Sequence, residues 1–377
     1  MPFEASLIWR SPQASHCDRL LVADGAMQAD GRWMRAAEQA RSQGECELDA
    51  APWLQPAQQA SVELADRQFR LPTRPVAGRF YPRMAFASLA QSPRDMRPTR
   101  VLAAGNDVLK LDPNHPLAEF GAKLVFRASA QEVTRGVRMI ELFDGPGMQA
   151  PSADADVTYF QPAGLTRQDM TPDAEFYARP RMTHHLDAAC RAQIGELYAR
   201  FLSPGQQVLD LMSSWVSHLP PIADAASAPM RVAGLGMNQA ELDANPALGQ
   251  RVVQDLNLCP ELPWHAAQFD VVVCTASIEY LLNPVAVVAE IRRVLKPGGR
   301  FVVTFSDRWF PGKAIQVWGD LHPFERLGMV LALLRDAGFS DLHSETLRGL
   351  KRPEDDKYIE QRLYSDPLFA AWGSAPV

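Results

Sequence analysis

Between residues 185 and 345, apolar runs of strand length alternate with helix-length amphipathic stretches. This rhythm restricts the chain more than any other feature it has. HLDAACRAQIGELYARFL (185–202) places apolar residues at helical spacing and stops before Ser-Pro-Gly. QQVLDLM, RVAGLGM and RVVQDL then read as three short strands, FDVVVCTA as a fourth and RFVVTFS as a fifth. PVAVVAEIRRVL is a helix closed by Lys-Pro-Gly-Gly, and HPFERLGMVLALLRDAGF is a second amphipathic helix. Two weaker strand candidates lie near 340–348 and 356–364. Strands that alternate with helices must lie parallel and be covered on both faces, so the expected class is α/β with a parallel sheet.

The part before this rhythm is different. At 377 residues the chain is long enough for two domains. ASLIWR, RLLVADG, SVELADRQFRLP, RVLAAGNDVLKLD and KLVFRASAQEV are β-like runs separated by the turn signals ADG, AGND and DPNHP. Residues 31–45 read as weakly helical. GPGMQAPSADAD, around 145–157, is the best linker. The expected organisation is a small β domain over 1–150, a linker and lid segment over 151–184, and the α/β domain over 185–377.

Composition narrows the partners. A net charge of −6 and the absence of any long basic run disfavour a nucleic-acid or anionic-membrane surface. MPFEASLIWRSPQ lacks a basic segment followed by an apolar core, so no secretory leader is expected. The apolar runs are too short to span a bilayer. Five scattered cysteines without a CxxC pair suit reduced thiols in the cytoplasm, with no zinc site and no disulfide frame.

Ligands of an open parallel sheet bind beyond the carboxyl ends of its strands. Four such ends carry polar residues: Asp210 with Ser213, Ser214 and Trp215; Gly236-Met237-Asn238; Asp255-Leu256-Asn257; and Cys274-Thr275-Ala276-Ser277. In this order, with LKPGGRFVVTFS downstream, they resemble the class I S-adenosylmethionine (SAM) methyltransferases of the small-molecule branch, over roughly residues 185–345. VLDLMSSWV stands in the register of the family's VLDLGCGTG, and FDVVVCTASIEYLLNPVAVVAEIRRVLKPGG follows the family pattern closely. The fold this implies is a Rossmann-like sheet with helices on both faces, and the cofactor is S-adenosyl-L-methionine.

Two departures stand out. Met212-Ser213-Ser214-Trp215 replaces the glycine-rich turn, and Gly236 stands where a carboxylate would hold the ribose hydroxyls. SSWVSHLP also resembles a methyltransferase-like group of plants and bacteria in which Ser-Ser-Trp stands where the glycines would be. The resemblance implies that contacts are redistributed. Ser213 and Ser214 offer hydroxyls to the methionine carboxylate, Asn238 bonds a ribose hydroxyl, and Trp215 closes on the sulfonium. Asp210 stays in place, while Asp255, the Leu256 backbone and Met237 receive the adenine. Thr275 and Ala276 complete the cofactor set. An alternative for Asp255 is that it only caps a turn. Cys274 is expected to be a buried strand residue and not a nucleophile.

Methyl transfer to a thiolate needs alignment more than acid–base chemistry, whereas an oxygen or nitrogen acceptor gains from a base. Candidates for catalysis are His185, Glu279, Tyr280 and Arg308, with Asp307 and His184 near them. Against this, His185 and Asp187 can simply start the following helix. Arg181 and Arg308 can bind an acidic acceptor, or be solvated. FSDRWFPGKAIQVWGD (305–320), dense in Trp and Phe, is expected to line an acceptor pocket.

LKLDPNHPLAEFGAKLVFRASAQEV (109–133) is similar to the terminal strand of bacterial FKBP-type prolyl isomerases with a flap insertion, of the SlyD-like kind. Asn114-His115-Pro116-Leu117-Ala118 match, and Gly121, Lys123, Leu124 and Phe126 resume the pattern after two extra residues. The aromatic set of a working isomerase pocket is missing from its usual order. The domain is therefore expected to be a scaffold, a lid or a homodimer contact. The leading expectation is a SAM-dependent methyltransferase acting on a small-molecule acceptor, with a thiol favoured. The alternatives are a non-catalytic interaction protein with a lapsed SAM fold, and a prolyl isomerase with an accessory domain.

Overall fold

The computed structural model describes residues 1–54, 60–93, 95–118, 120–134, 136–144, 159–221, 229–323 and 325–377. The linker expected around 145–157 lies outside the described residues. The chain forms two compact units. One comprises Met1–Gln161 with Asp320–Met329 and Glu345–Leu350; the other comprises Pro162–Gly319, Val330–Ser344 and Lys351–Val377.

In the first unit, β1 (Phe3–Arg10) pairs antiparallel with β2 (Ala14–Val22), and β3 (Glu45–Asp49) contributes to the same sheet. The helix Gly31–Gln43 is capped by Asp30, whose side chain accepts from Arg32 N–H, and it buries Trp33, Ala36, Ala37 and Ala40. A second, four-stranded sheet then interrupts the first. It holds β4 (Val62–Ala65), β5 (Phe80–Pro82), β6 (Pro98–Gly105) and β7 (Val108–Asp112) in the order β4-β7-β6-β5. Its own core gathers Tyr81, Phe86, Val101, Leu109 and Leu111. Asn106 and Asp107 both adopt positive φ in the β6–β7 turn, the geometry that suits the right-handed twist of a hairpin. The chain then rejoins the first sheet as β8 (Lys123–Ala128), between β1 and β3.

Just before β8, the Asn-His-Pro turn is structural. Asp112 accepts from Asn114 N–H at 2.9 Å, and His115 Nδ1 accepts from Leu117 N–H at 3.1 Å. With Nδ1 accepting, Nε2 carries the proton and donates to the Phe143 carbonyl at 2.9 Å. Burial pushes the pKa of His115 down to about 4, so the ring stays neutral.

The second unit is built on β9 (Gln207–Leu211), β10 (Arg231–Gly236), β11 (Gln250–Val253), β12 (Phe269–Thr275), β13 (Leu295–Phe305), β14 (Ser340–Arg348, whose residues 340–344 belong to this unit) and β15 (Leu368–Ser374). Their order is β11-β10-β9-β12-β13-β15-β14, with β9 through β13 parallel and β15 antiparallel to β13. This is a Rossmann-like α/β sheet whose order reverses beside β9, which opens a crevice between β9 and β12. Helix Ala188–Ala199 precedes β9, and helix Pro284–Val294 links β12 to β13. Val287, Val288, Ile291 and Val294 of that linking helix are buried at helical spacing.

One expectation needs correction here. The last strand is Leu368–Ser374 and not 356–364. Residues 356–362 form turns because Asp356 accepts from Tyr358 N–H through its carboxylate and from Ile359 N–H through its carbonyl. LFAAWGS, by contrast, has seven buried residues, and its glycine and alanines let it lie between two strands. No helix among the described residues is long and apolar enough to cross a membrane.

Candidate active site

A cavity of about 240 Å³ opens beyond the carboxyl ends of β9, β10, β11 and β12, and all four predicted strand ends line it. Its first wall is the turn after β9. Ser213 N–H donates to the Leu235 carbonyl at 2.7 Å, and Ser213 Oγ donates to Asp210 at 2.5 Å. Ser214 Oγ donates to Glu241. The hydroxyls expected to bind a ligand carboxylate therefore hold the turn together instead. Met212 takes φ 57°, a left-handed conformation that costs about 1 kcal/mol outside glycine.

The missing carboxylate after β10 has a steric cause. A Cβ at Gly236 would stand 2.2 Å from the Ser213 carbonyl oxygen and 3.1 Å from a Leu242 methyl. The glycine that the β9 turn lacks is thus found on the neighbouring strand, where the backbone of that turn needs the room. The two departures from the family pattern are one rearrangement.

Asn238 also holds local structure. Its Oδ1 caps helix Gln239–Ala244 by accepting from Glu241 N–H at 3.1 Å, and its Nδ2 donates to the carbonyls of Tyr177 and Ala178. Both Nδ2 donors are engaged, which leaves the second lone pair of Oδ1 for the ribose contact expected of it. The carboxylate present at this wall is Glu241, 9 % exposed, which accepts from Arg181 N–H at 2.7 Å as well as from Ser214. The Asn-x-x-Glu spacing of a helix start was the sequence signal for it.

Asp210 is buried, and its pKa is pushed up to about 7 by burial, against the lowering effect of hydrogen bonds from Ser213 and Ser217. Asp255 both lines the cavity and holds a turn, since its Oδ1 accepts from Asn257 N–H at 2.9 Å. Met237, Leu256, Thr275 and Ala276 line the same half. The Thr275 hydroxyl is tied downward to Tyr198 at 2.6 Å. Cys274 is fully buried on β12, as expected, and desolvation raises its thiol pKa well above the ordinary value.

The other half is built from residues 173–186 and 308–310. Trp215 stacks on His184 at 4.6 Å between ring centres, and its Nε1 donates to the Thr183 carbonyl at 3.4 Å. His185 lies edge-on to Phe310, and its pKa is lowered by burial first and then by Lys357 and Arg181. It is a neutral imidazole at pH 7 and can accept a proton. Tyr280 is no base. Its hydroxyl accepts from Phe310 N–H at 2.9 Å, and burial drives its pKa far upward. Glu279 does not line the cavity; it is 1 % exposed, packed beside Tyr280 and Cys274. Arg308 lines the cavity with its guanidinium 4.3 Å from the Tyr358 ring centre. Asp307 faces Arg362 instead, at 3.0 Å. Asp187 caps helix Ala188–Ala199 by accepting from Cys190 N–H.

Sequence reasoning gave no such role to the residues that hold these walls together, although Asn257 stood in one of the four strand ends. Asn257 donates to Asp173 at 2.8 Å and to the Tyr280 carbonyl at 3.0 Å, and accepts from Leu282 N–H at 2.7 Å. Asp173 in turn pairs with Arg167 at 2.9 Å and Lys313 at 3.5 Å, and Lys313 is 1 % exposed. Breaking such a buried pair from one side costs about 3–5 kcal/mol. Among the described residues no group of three or more His, Cys, Asp or Glu is placed to hold a metal ion.

Several known proteins are similar to parts of this chain. Residues 217–303 match the family model described as Methyltransferase domain. A ubiquinone/menaquinone biosynthesis C-methyltransferase of Burkholderia vietnamiensis is 33 % identical over 129 residues, which are 33 % of this chain and 52 % of that protein. A sterol 4-C-methyltransferase of Caenorhabditis elegans is 37 % identical over 70 residues, 18 % of this chain and 21 % of that protein. The chain thus spans about half or less of the length of the curated relatives it matches. A solved SAM-dependent methyltransferase from Aquifex aeolicus overlays with TM-score 0.34 at 14 % identity, covering 54 % of this chain and 97 % of that one. The similarity to methyltransferases thus lies within the second unit, over residues 217–303.

Proposed function

We propose that the chain is an enzyme that transfers the methyl group of SAM to a small-molecule acceptor. The observation that carries this is the cavity at the switch point of the second unit's sheet, with carboxylates at one end and a neutral imidazole among aromatic rings at the other. The donor set fits a sulfonium nucleoside: Glu241 and Asp255 supply negative charge, Met237 and Leu256 supply apolar walls, and Trp215 supplies an aromatic face. When bound, SAM supplies an electrophilic methyl carbon.

The chain's own residues do the rest. The Met212–Trp215 turn and Asp255 fix the donor end. Residues 177–186 and 308–310 enclose the acceptor and keep water out. His185 takes the proton that an oxygen or carbon acid must lose on methylation, and Glu279 packs against Tyr280 to hold that wall. A thiolate would need no such base, so His185 moves the reading from a thiol toward an acidic oxygen or carbon acceptor. The relatives named as C-methyltransferases support the same direction.

The first unit is read as an FKBP-like scaffold without a catalytic part in the transfer. A four-stranded sheet inserted between β3 and β8 supports that reading, because it falls where a flap insertion would. The test is a screen of phenols, carboxylic acids, thiols and amines with SAM, detecting S-adenosylhomocysteine. Acceptor-dependent product whose rate falls at least about a hundredfold in His185→Gln supports the reading. Product from thiols alone, unchanged by that substitution, refutes the assigned base.

A further inference from the structure

The geometry points to an acceptor that carries an oxyanion, a carboxylate or a phosphate, received by Arg308 and Arg181 at the end of the cavity away from Asp210. The division into donor and acceptor ends rests on the methyl transfer proposed above.

Charge is sorted along this cavity. Four carboxylates line it: Asp173, Asp210, Glu241 and Asp255. Asp173 is already neutralised by Arg167 and Lys313, Asp210 and Asp255 lie at the ends of β9 and β11, and Glu241, in the helix after β10, is engaged by Ser214 and by the Arg181 backbone N–H. The opposite end holds Arg181, His185 and Arg308 among Tyr177, Tyr280 and Phe310. Among the described residues neither arginine has a carboxylate partner. Arg308 meets Tyr358 through its ring and its hydroxyl, and its charge also reaches Asp356 beyond ion-pair distance. Arg181 lies 4.4 Å over the Phe176 ring and donates Nη2 to the Phe176 carbonyl at 2.9 Å, while its Nη1 is buried without a hydrogen-bond partner.

A guanidinium offers five N–H donors in a planar fork that matches two oxygens of one anion. Two such forks facing one cavity, both over aromatic rings and neither in a direct ion pair among the described residues, form a positive end. His185 is held below its ordinary value by burial first, with Lys357, Arg181 and Arg308 adding to it against an opposing effect of Glu241. Neutral acceptors would leave the positive end unanswered, and cationic acceptors would be repelled.

The test uses the full chain saturated with S-adenosylhomocysteine and titrated, by calorimetry or ligand-observed NMR, with benzoate, phenyl phosphate and benzamide. One of the two anions is expected to bind at least about tenfold more tightly than benzamide, and which one it is separates a carboxylate from a phosphate. Arg308→Gln and Arg181→Gln each weaken that anion at least about fivefold, and Arg308→Lys recovers part of the loss. In Arg308→Gln the nucleoside affinity stays within about twofold, which separates a local effect from misfolding. Benzamide binding as well as both anions, no anion binding at all, or anion binding indifferent to both arginines would overturn the proposal. Should the nucleoside itself fail to bind, the methyltransferase reading falls alone. The anion titration on the free protein then decides this proposal by the same criteria.

Discussion

Replacing Gly236 with alanine adds one methyl group, and the structure says what that methyl group meets. It would lie 2.2 Å from the Ser213 carbonyl oxygen, 3.2 Å from the Ser213 carbonyl carbon and 3.1 Å from a Leu242 methyl. A carbon–oxygen contact needs roughly 1 Å more, and the oxygen belongs to backbone that cannot rotate away. The turn is strapped in place by Ser213 N–H on Leu235 and Ser213 Oγ on Asp210, so relief means breaking one of these bonds. Overpacking of this kind costs about 1–3 kcal/mol. A cost of about 3 kcal/mol lowers the melting temperature of a 150–250-residue unit by roughly 6–12 °C. Gly249→Ala is the control, because its new Cβ meets only the Val232 carbonyl at 3.6 Å. The assay is thermal unfolding of both variants, followed by calorimetric titration with S-adenosylhomocysteine. Gly236→Ala is expected to melt lower and to bind the nucleoside weakly or not at all, with Gly249→Ala close to the parent. Gly236→Asp, which restores the family's carboxylate, should be worse still. Tighter donor binding by Gly236→Asp would refute the argument that the turn occupies this space.

Further outcomes follow from other residues. The pKa of Asp210 stands at about 7 in the folded chain against 3.8 for a free carboxyl, so the folded state holds this proton more tightly. Stability should therefore fall as pH rises from about 4 to about 7. Asp210→Asn should stabilise the second unit at pH 8 by up to about 4 kcal/mol and give no gain at pH 4 in urea unfolding; an equal gain at both would contradict the burial argument. Asn257→Ala removes three hydrogen bonds, one to a carboxylate, and should cost about 2–4 kcal/mol in the same assay while raising the KM for SAM. His185 is held below its ordinary value of 6.5, so methyl transfer should lose activity only at a pH below that value. His185→Gln should abolish the inflection, and a profile unchanged by that substitution would remove His185 as the base.

The legible part of this chain was its rhythm. Strand and helix lengths from 185 onward placed β9 to β13, and with them every strand end that lines the cavity. Roles of side chains within the turns were less legible. Ser213, Ser214 and Asn238 are hydrogen-bonding residues beside a ligand space, but local backbone and carboxylate partners compete for them. Glu279 illustrates the same limit, because a carboxylate in a sequence carries no sign of the direction in which a 3-10 turn will aim it. Asn257 and Lys313 act between segments far apart in sequence, so no local spacing announces them. The exchange of glycine between the β9 turn and Gly236 was visible as two separate oddities. Only the 2.2 Å approach joins them.

The central claim is that a turn of Met, Ser, Ser and Trp, backed by Asp210, Glu241 and Asp255, grips the nucleoside donor. Calorimetric titration of the full chain with SAM and with S-adenosylhomocysteine measures this directly. One saturable site in the micromolar range, lost in Asp255→Ala and in Trp215→Ala, is the predicted result. A correctly folded chain that takes up neither compound would contradict it.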